Sequence, residues 1–219
     1  MLLDSTANWS LRVQIYTAFV DAWGLSIKVK PGYRVYKDLL RIELWVQMIE
    51  LIFYVWMVRN MRKVPNITLY RYLDWVFTTP LMLITLIVYL DHDPSIASLK
   101  DYLQRNKKLI KKVLALNWAM LGAGFLGEAG VINRQAGATV GTFPFLAYFK
   151  AIWDELIRGK ALSREKLQVF WWFFTVWSGY GIAALAPYEI KNAGYNVLDL
   201  FAKNFFGVFL VWVIWKNRA

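Results

Sequence analysis

Seven stretches of the 219-residue chain are long and apolar enough to read as bilayer-crossing segments, and this bounds every other reading. A spanning helix needs about 20 predominantly apolar residues. The stretches lie near residues 7–27, 36–58, 68–90, 108–127, 139–157, 165–187 and 194–215. In lipid each segment must satisfy its own backbone polar groups, so such stretches fold as helices. The connections are short, which predicts antiparallel neighbours in a single all-α domain over residues 1–219. Hydrophobic residues make up 58% and charged residues 19%, whereas soluble domains run about 45–50% and about 25%. There is no Cys and one His, His92. Disulfide frameworks and thiolate metal sites are excluded, and His-based triads nearly so. No metal site is expected. No Lys or Arg precedes the first apolar run, so no secretory leader is expected. The few residues after the last segment predict no fused enzyme and no enzymatic activity.

The net charge of +11 would also suit a nucleic-acid binder, but the hydropathy favours a multi-pass membrane protein, so no nucleic-acid partner is expected. Lys28, Lys30, Arg34, Lys37 and Arg41 follow the first segment. Lys100, Arg105, Lys107, Lys108, Lys111 and Lys112 follow the third, and Arg158, Lys160, Arg164 and Lys166 the fifth. The other side holds only Arg59, Arg62, Lys63, Arg134 and Lys191. Cytoplasmic loops collect Lys and Arg, which predicts an extracellular N-terminus and a cytoplasmic C-terminus.

Ionisable residues within the segments are costly in lipid and point to function. Asp199 and Lys203 are four apart in the seventh segment and so share a helix face. Asp74 sits in the third segment just after Arg71, and Glu43 and Glu50 in the second. A structural ion pair is one reading. A desolvated lysine is also the usual nucleophile toward an aldehyde, and the imine it forms needs carboxylate counter-ions. Asp74 and Asp199 could serve. A long apolar aldehyde needs an aromatic slot, which Trp75, Trp177, Tyr180 and Phe143 could supply.

These residues resemble the microbial rhodopsins. Arg71 to Pro80 reads RYLDWVFTTP, similar to the family's third-helix signature, and Leu198 to Gly207 reads LDLFAKNFFG, similar to the stretch around its retinal lysine. Trp177, Ser178, Gly179 and Tyr180 resemble the sixth-helix pocket motif, and Gly127, Glu128, Ala129 and Gly130 the end of the fourth helix in proteorhodopsin-like members. The resemblance covers the chain in order and implies a seven-transmembrane-helix bundle in a plasma or other host-cell membrane. It implies all-trans retinal on Lys203, with Asp74 as primary counter-ion and proton acceptor and Asp199 as second counter-ion. Arg71 would be the extracellular switch arginine, and Thr78 would bond Asp74 from one turn along. Trp75, Thr79, Trp177 and Tyr180 would line the chromophore, with Met82 at a colour-tuning position. Homo-oligomers occur in the family, and nothing in the sequence selects one.

The chain also departs from the family pattern. The usual cytoplasmic proton donor, eleven residues after the acceptor, is replaced by Thr85. The sixth-helix proline is replaced by Gly181, and a bulky aromatic one turn beyond by Ala184. Of an extracellular carboxylate pair, Glu189 remains, while the other position reads as Lys191.

Glu43, Gln47, Glu50 and Tyr54 recur at helical spacing, as do Ser10, Gln14, Thr17 and Asp21. Glu43 and Glu50 lie roughly 10 Å apart along the axis. Such stripes must face the bundle interior or water. They serve either as interhelical glue or as a hydrated path, and carboxylates along a wet path select cations. Glu50 with Asn204 resembles the central gate of channelrhodopsins, with Ser10 or Thr17 as third member. The short chain resembles rhodopsins of large algal viruses. The sequence thus predicts a light-gated channel for monovalent cations or protons. The alternatives are an outward proton pump with Glu43 as donor, and a photosensor.

Overall fold

The computed structural model describes residues 2–96 and 98–219. Its long helices are α1 (Leu2–Ser26), α2 (Arg34–Asn60), α3 (Ile67–Leu90), α5 (Lys107–Glu128), α6 (Arg134–Leu156) and α7 (Arg164–Ala184). A seventh rod is built from α8 (Tyr188–Asp199), a π-helical turn (Leu200–Asn204) and α9 (Phe205–Lys216). A short helix, α4 (Leu99–Arg105), stands where the sequence reads as loop, started by Ser98, whose side chain accepts from the Asp101 N–H. Asn66, Asn133 and Ser163 cap α3, α6 and α7 in the same manner, each satisfying an otherwise orphaned backbone donor. Just beyond the end of α5, Gly130 has a φ of +76°, a left-handed value that favours glycine.

Helices start earlier than the hydropathy predicts at α1 and at α8, because Asp4 and Lys191 interrupt apolar character without interrupting the helix. The sixth segment ends at Ala184 rather than near 187, where Pro187 follows. By length and apolarity taken together, three helices among the described residues qualify as spans: Ile67–Leu90, Lys107–Glu128 and Tyr188–Lys216. The other four expected segments also form long helices, but are less apolar on that measure. α1, α2, α6 and α7 have 25, 27, 23 and 21 residues, so length is not what they lack. In α1 and α2 the inward stripes lower the apolar content.

The distribution of polarity is inverted relative to a water-soluble bundle. On α1 the buried residues are Ala7, Ser10, Gln14, Thr17, Asp21 and Gly24, while Tyr16 and Phe19 are 70% and 72% exposed. Trp45, Ile52, Leu73 and Phe77 are likewise exposed. An apolar exterior around a polar interior suits lipid, where polar side chains must turn inward.

α1 packs on α2, α8 and α9, α2 on α3, α3 on α5, and α7 on α8. α5 and α6 approach closely because Gly137 carries no side chain; a Cβ there would stand 2.8 Å from the Ala123 carbonyl oxygen. Pro80 lies inside α3 and cannot donate to the Val76 carbonyl one turn back. The Trp118 indole of α5 donates to that carbonyl instead, at 3.2 Å. The π turn likewise disturbs the regular ladder, and the Phe201 carbonyl accepts from the Trp172 indole at 3.3 Å.

Candidate functional site: a buried lysine among three carboxyl groups

Lys203 sits on the π turn and is 1% exposed. Its Nζ lies 2.5 Å from Asp74 Oδ2, 3.6 Å from Asp199 Oδ1 and 3.7 Å from Glu50 Oε1. Three helical rods therefore each aim a carboxyl group at one amine. Burying an ammonium costs several kcal/mol unless counter-charges and hydrogen bonds offset it, and here the counter-charge is supplied from three directions.

Asp199 is held most completely. It accepts from the Tyr54 hydroxyl and the Tyr180 hydroxyl, each at 2.7 Å, and from Arg71 Nη1 at 3.2 Å. Arg71, wholly buried, also donates to the Asn192 side chain at 3.1 Å, to its backbone carbonyl at 3.3 Å and to Asn196 Oδ1. The guanidinium lies over the rings of Phe53, Tyr54 and Tyr195 at 5.6–5.8 Å. Cation–π contact and planar donors suit arginine at such a site better than lysine.

Beyond Arg71, Lys191 pairs with Glu128 at 2.6 Å, and Asn66 donates to the same carboxylate at 2.9 Å. Sequence reading identified Lys191 and Glu128 separately and missed that they meet. They lie 63 residues apart, on α8 and α5, and no local periodicity links them. Glu189 accepts from the Leu2 backbone N–H at 3.2 Å.

A cavity of about 420 Å³ opens from Lys203 between α3, α5, α6 and α7. Trp75, Thr79, Met82, Trp177 and Tyr180 line it, together with Phe145. The Trp75 ring stands edge-on to Tyr180 and Tyr195 at 5.6 and 5.1 Å. Phe143 is corrected: it is 69% exposed and points away from the cavity. Two residues along a helix turn it through about 200°, so Phe145 takes the inward place and Phe143 the outward one. Thr78 is corrected in part. Its hydroxyl donates at 3.0 Å to the Asp74 backbone carbonyl, the usual back-bond of a helical threonine, leaving the carboxyl group to Lys203. Asn117 was not foreseen; it donates to Thr79 at 2.8 Å from α5.

On the other side of Lys203, toward the end of the bundle where α2 begins, Glu43 accepts from Thr85 at 2.5 Å. Gln47 donates to Asp21. Asn204 adjoins Glu50 without a well-formed hydrogen bond. Ser10 donates to the Asn196 carbonyl at 2.7 Å, tying α1 to α8, whereas Thr17 donates to carbonyls of its own helix. Both are buried.

The residues present suit a long apolar aldehyde: an amine at the cavity's inner end, carboxyl groups around it, and an aromatic wall of a volume usual for small-molecule sites. Among the described residues no group of three or more His, Cys, Asp or Glu side chains is placed to hold a metal ion, the three carboxyl groups here being gathered around the Lys203 amine.

The family model described as "Bacteriorhodopsin-like protein" matches residues 4–217. The blue-light absorbing proteorhodopsin of Gamma-proteobacterium Hot 75m4 is 41% identical over 64 residues, covering 29% of this chain and 22% of that protein. The green-light absorbing proteorhodopsin of Gamma-proteobacterium EBAC31A08 is 23% identical over 161 residues, 66% of this chain and 60% of that protein. These matches thus span less than two thirds of either relative. Among solved structures, viral rhodopsin OLPVRII superposes with a TM-score of 0.83 at 23% identity, covering 100% of both chains. Xanthorhodopsin, a light-driven ion pump with dual chromophore, superposes at 0.77 with 18% identity, over 99% of this chain and 93% of that one. Halorhodopsin from Halobacterium salinarum, in a bromide-bound form, reaches 0.74 at 17% identity, over 99% and 94%. At these identities the likeness is one of fold. With a family model covering nearly its whole length and a seven-rod fold shared with a viral rhodopsin, the chain belongs to the bacteriorhodopsin-like family of microbial rhodopsins.

Proposed function

We propose that this chain is a light-gated channel for monovalent cations or protons, a single domain inserted with its N-terminus outside and its C-terminus in the cytoplasm. The observation that carries the reading is the buried polar seam between α1, α2 and the α8–α9 rod. Of the twelve buried side-chain polar atoms without a hydrogen-bond partner among the described residues, nine belong to this seam: those of Gln14, Asp21, Glu43, Gln47, Glu50 and Asn204. Buried polar atoms are normally satisfied by protein or water, and leaving one unmet costs about 1–3 kcal/mol. A seam with this many open valences is suited to take up water, and its carboxyl groups favour cations.

The family implies a retinal chromophore, and we assign its attachment to Lys203, with Trp75, Thr79, Met82, Phe145, Trp177 and Tyr180 around it. Bound there, retinal supplies the absorption of light and a change of shape at the lysine. Asp74 Oδ2 is the nearest acceptor for a proton leaving Lys203 Nζ. Asp199, held by Arg71, Tyr54 and Tyr180, stays in place as the fixed counter-charge. Glu50 has no such hydrogen bonds, so loss of charge at Nζ releases it. Glu50 and Asn204 then form the gate, and their release opens the seam to water. Glu50→Gln is the test in voltage-clamped cells: the current should fall and its reversal potential shift. Unchanged conductance and selectivity would place the gate elsewhere.

One contact favours an outward proton pump instead. Glu43 bonds Thr85, the position where pumps of this family usually carry their donor, so a second-helix acid reaches the same place. On that reading Glu43→Gln slows reprotonation of Lys203 severely and added azide restores it. A flash-photolysis decay unaffected by the substitution would remove Glu43 as donor.

A further inference from the structure

Asp21 is a fully buried carboxyl group for which the counter-ion cluster has no use. It is 0% exposed and lies near the end of α1, well along the helix from Ser10 and its contact with Asn196. Its partner is Gln47 Nε2 on Oδ2, while Oδ1 has none. Gln47 Oε1, 2% exposed at the residue level, is also unpartnered, as is one oxygen of the neighbouring Glu43. No lysine or arginine pairs with Asp21 among the described residues.

The third helix contributes by leaving room. A Cβ on Gly207 would stand 2.0 Å from Asp21 Oδ2 and 2.7 Å from Gln47 Nε2. Real Cβ contacts essentially never approach so closely, so the pair holds this position only while residue 207 is glycine, and a side chain there would displace the ends of Asp21 and Gln47. Three helices thus meet at a small, buried polar cluster. It holds two unpartnered oxygens from Asp21 and Gln47, with Glu43 on the adjoining turn of α2.

We infer that Asp21, positioned by Gln47 in the niche left by Gly207, is a cation-contacting residue of the seam and sets its ion preference at the end opposite Arg71. The unpartnered oxygens are acceptors without donors, which is what a dehydrating cation or its water requires. A purely structural Asp21 would need only one hydrogen bond to Gln47, and asparagine can supply that.

This inference rests on the seam carrying ions, and the test separates the two. Asp21→Asn, Gly207→Ala and wild type are compared by photocurrent under defined sodium and proton gradients. The same three proteins are compared by light-minus-dark infrared difference spectra in the carboxyl stretching region. The expected result is a coloured Asp21→Asn protein with a severalfold altered sodium-to-proton permeability ratio, and loss of one carboxyl difference band. Gly207→Ala should shift that band and alter the ratio in the same direction. Unchanged permeability and an unchanged carboxyl spectrum in coloured Asp21→Asn protein would overturn the role of Asp21. Wild type without passive current would overturn the channel reading. In that case the role of Asp21 as an ion contact falls with it.

Discussion

Lys203→Ala is expected to give a folded protein with no visible absorption band. Lys203 is the one lysine among the residues lining the cavity, so no neighbouring amine can replace it in holding an aldehyde there. The substitution also leaves Asp74, Asp199 and Glu50 around an uncharged side chain. Some loss of stability is therefore expected together with the loss of colour. Lys203→Arg separates the two effects, because arginine keeps a positive charge near the carboxyl groups yet cannot form the imine. It should be colourless and more stable than Lys203→Ala. Absorption spectra after adding retinal to membranes, with expression checked independently, read the result. A visible band in Lys203→Ala would assign the attachment to another residue.

Arg71→Ala should have the largest effect on stability. Removing one member of a buried ion pair typically costs about 3–5 kcal/mol, because the other charge is left without compensation. Arg71 is 0% exposed and joins α3 to Asn192, Asn196 and Asp199 on α8, so its loss also strands several acceptors. Thermal bleaching of the pigment should occur at markedly lower temperature, with a shift in colour as Asp199 loses its fixed partner. Arg62→Ala is the control. Its pairing with Asp4 at 3.0 Å involves an arginine side chain 82% exposed, where water screens the charges and an ion pair contributes little to stability. Equal stability of the two variants would show that the Arg71 network is not what holds α3 to α8.

What the sequence made legible follows from periodicity. Asp199 and Lys203 four apart, and the stripes on α1 and α2, can be read as shared faces because helical spacing alone decides them. The inward face of α1 emerges as read: Ser10, Gln14, Thr17 and Asp21 are all buried. What could not be read depends on which side of a helix meets the cavity, or on partners distant in the chain. Sequence reading takes Phe143 for the cavity wall, and only packing against α7 shows that Phe145 holds that place, its ring 5.6 Å from Phe174. The Glu128–Lys191 pair joins two helices with no sequence relation. The π turn at Leu200–Asn204 has no compositional mark, yet it sets the direction in which Lys203 leaves its helix. Gly207 looked like part of a motif; its importance for space became visible only with Asp21 opposite it.

The most direct test of the central claim is a photocurrent recorded under voltage clamp while sodium, potassium and proton gradients are varied one at a time. The account predicts a sustained current that changes sign with voltage, at a potential that follows the gradient of a permeant cation. A current that stays outward at every voltage and follows no gradient would contradict it and establish active transport in its place.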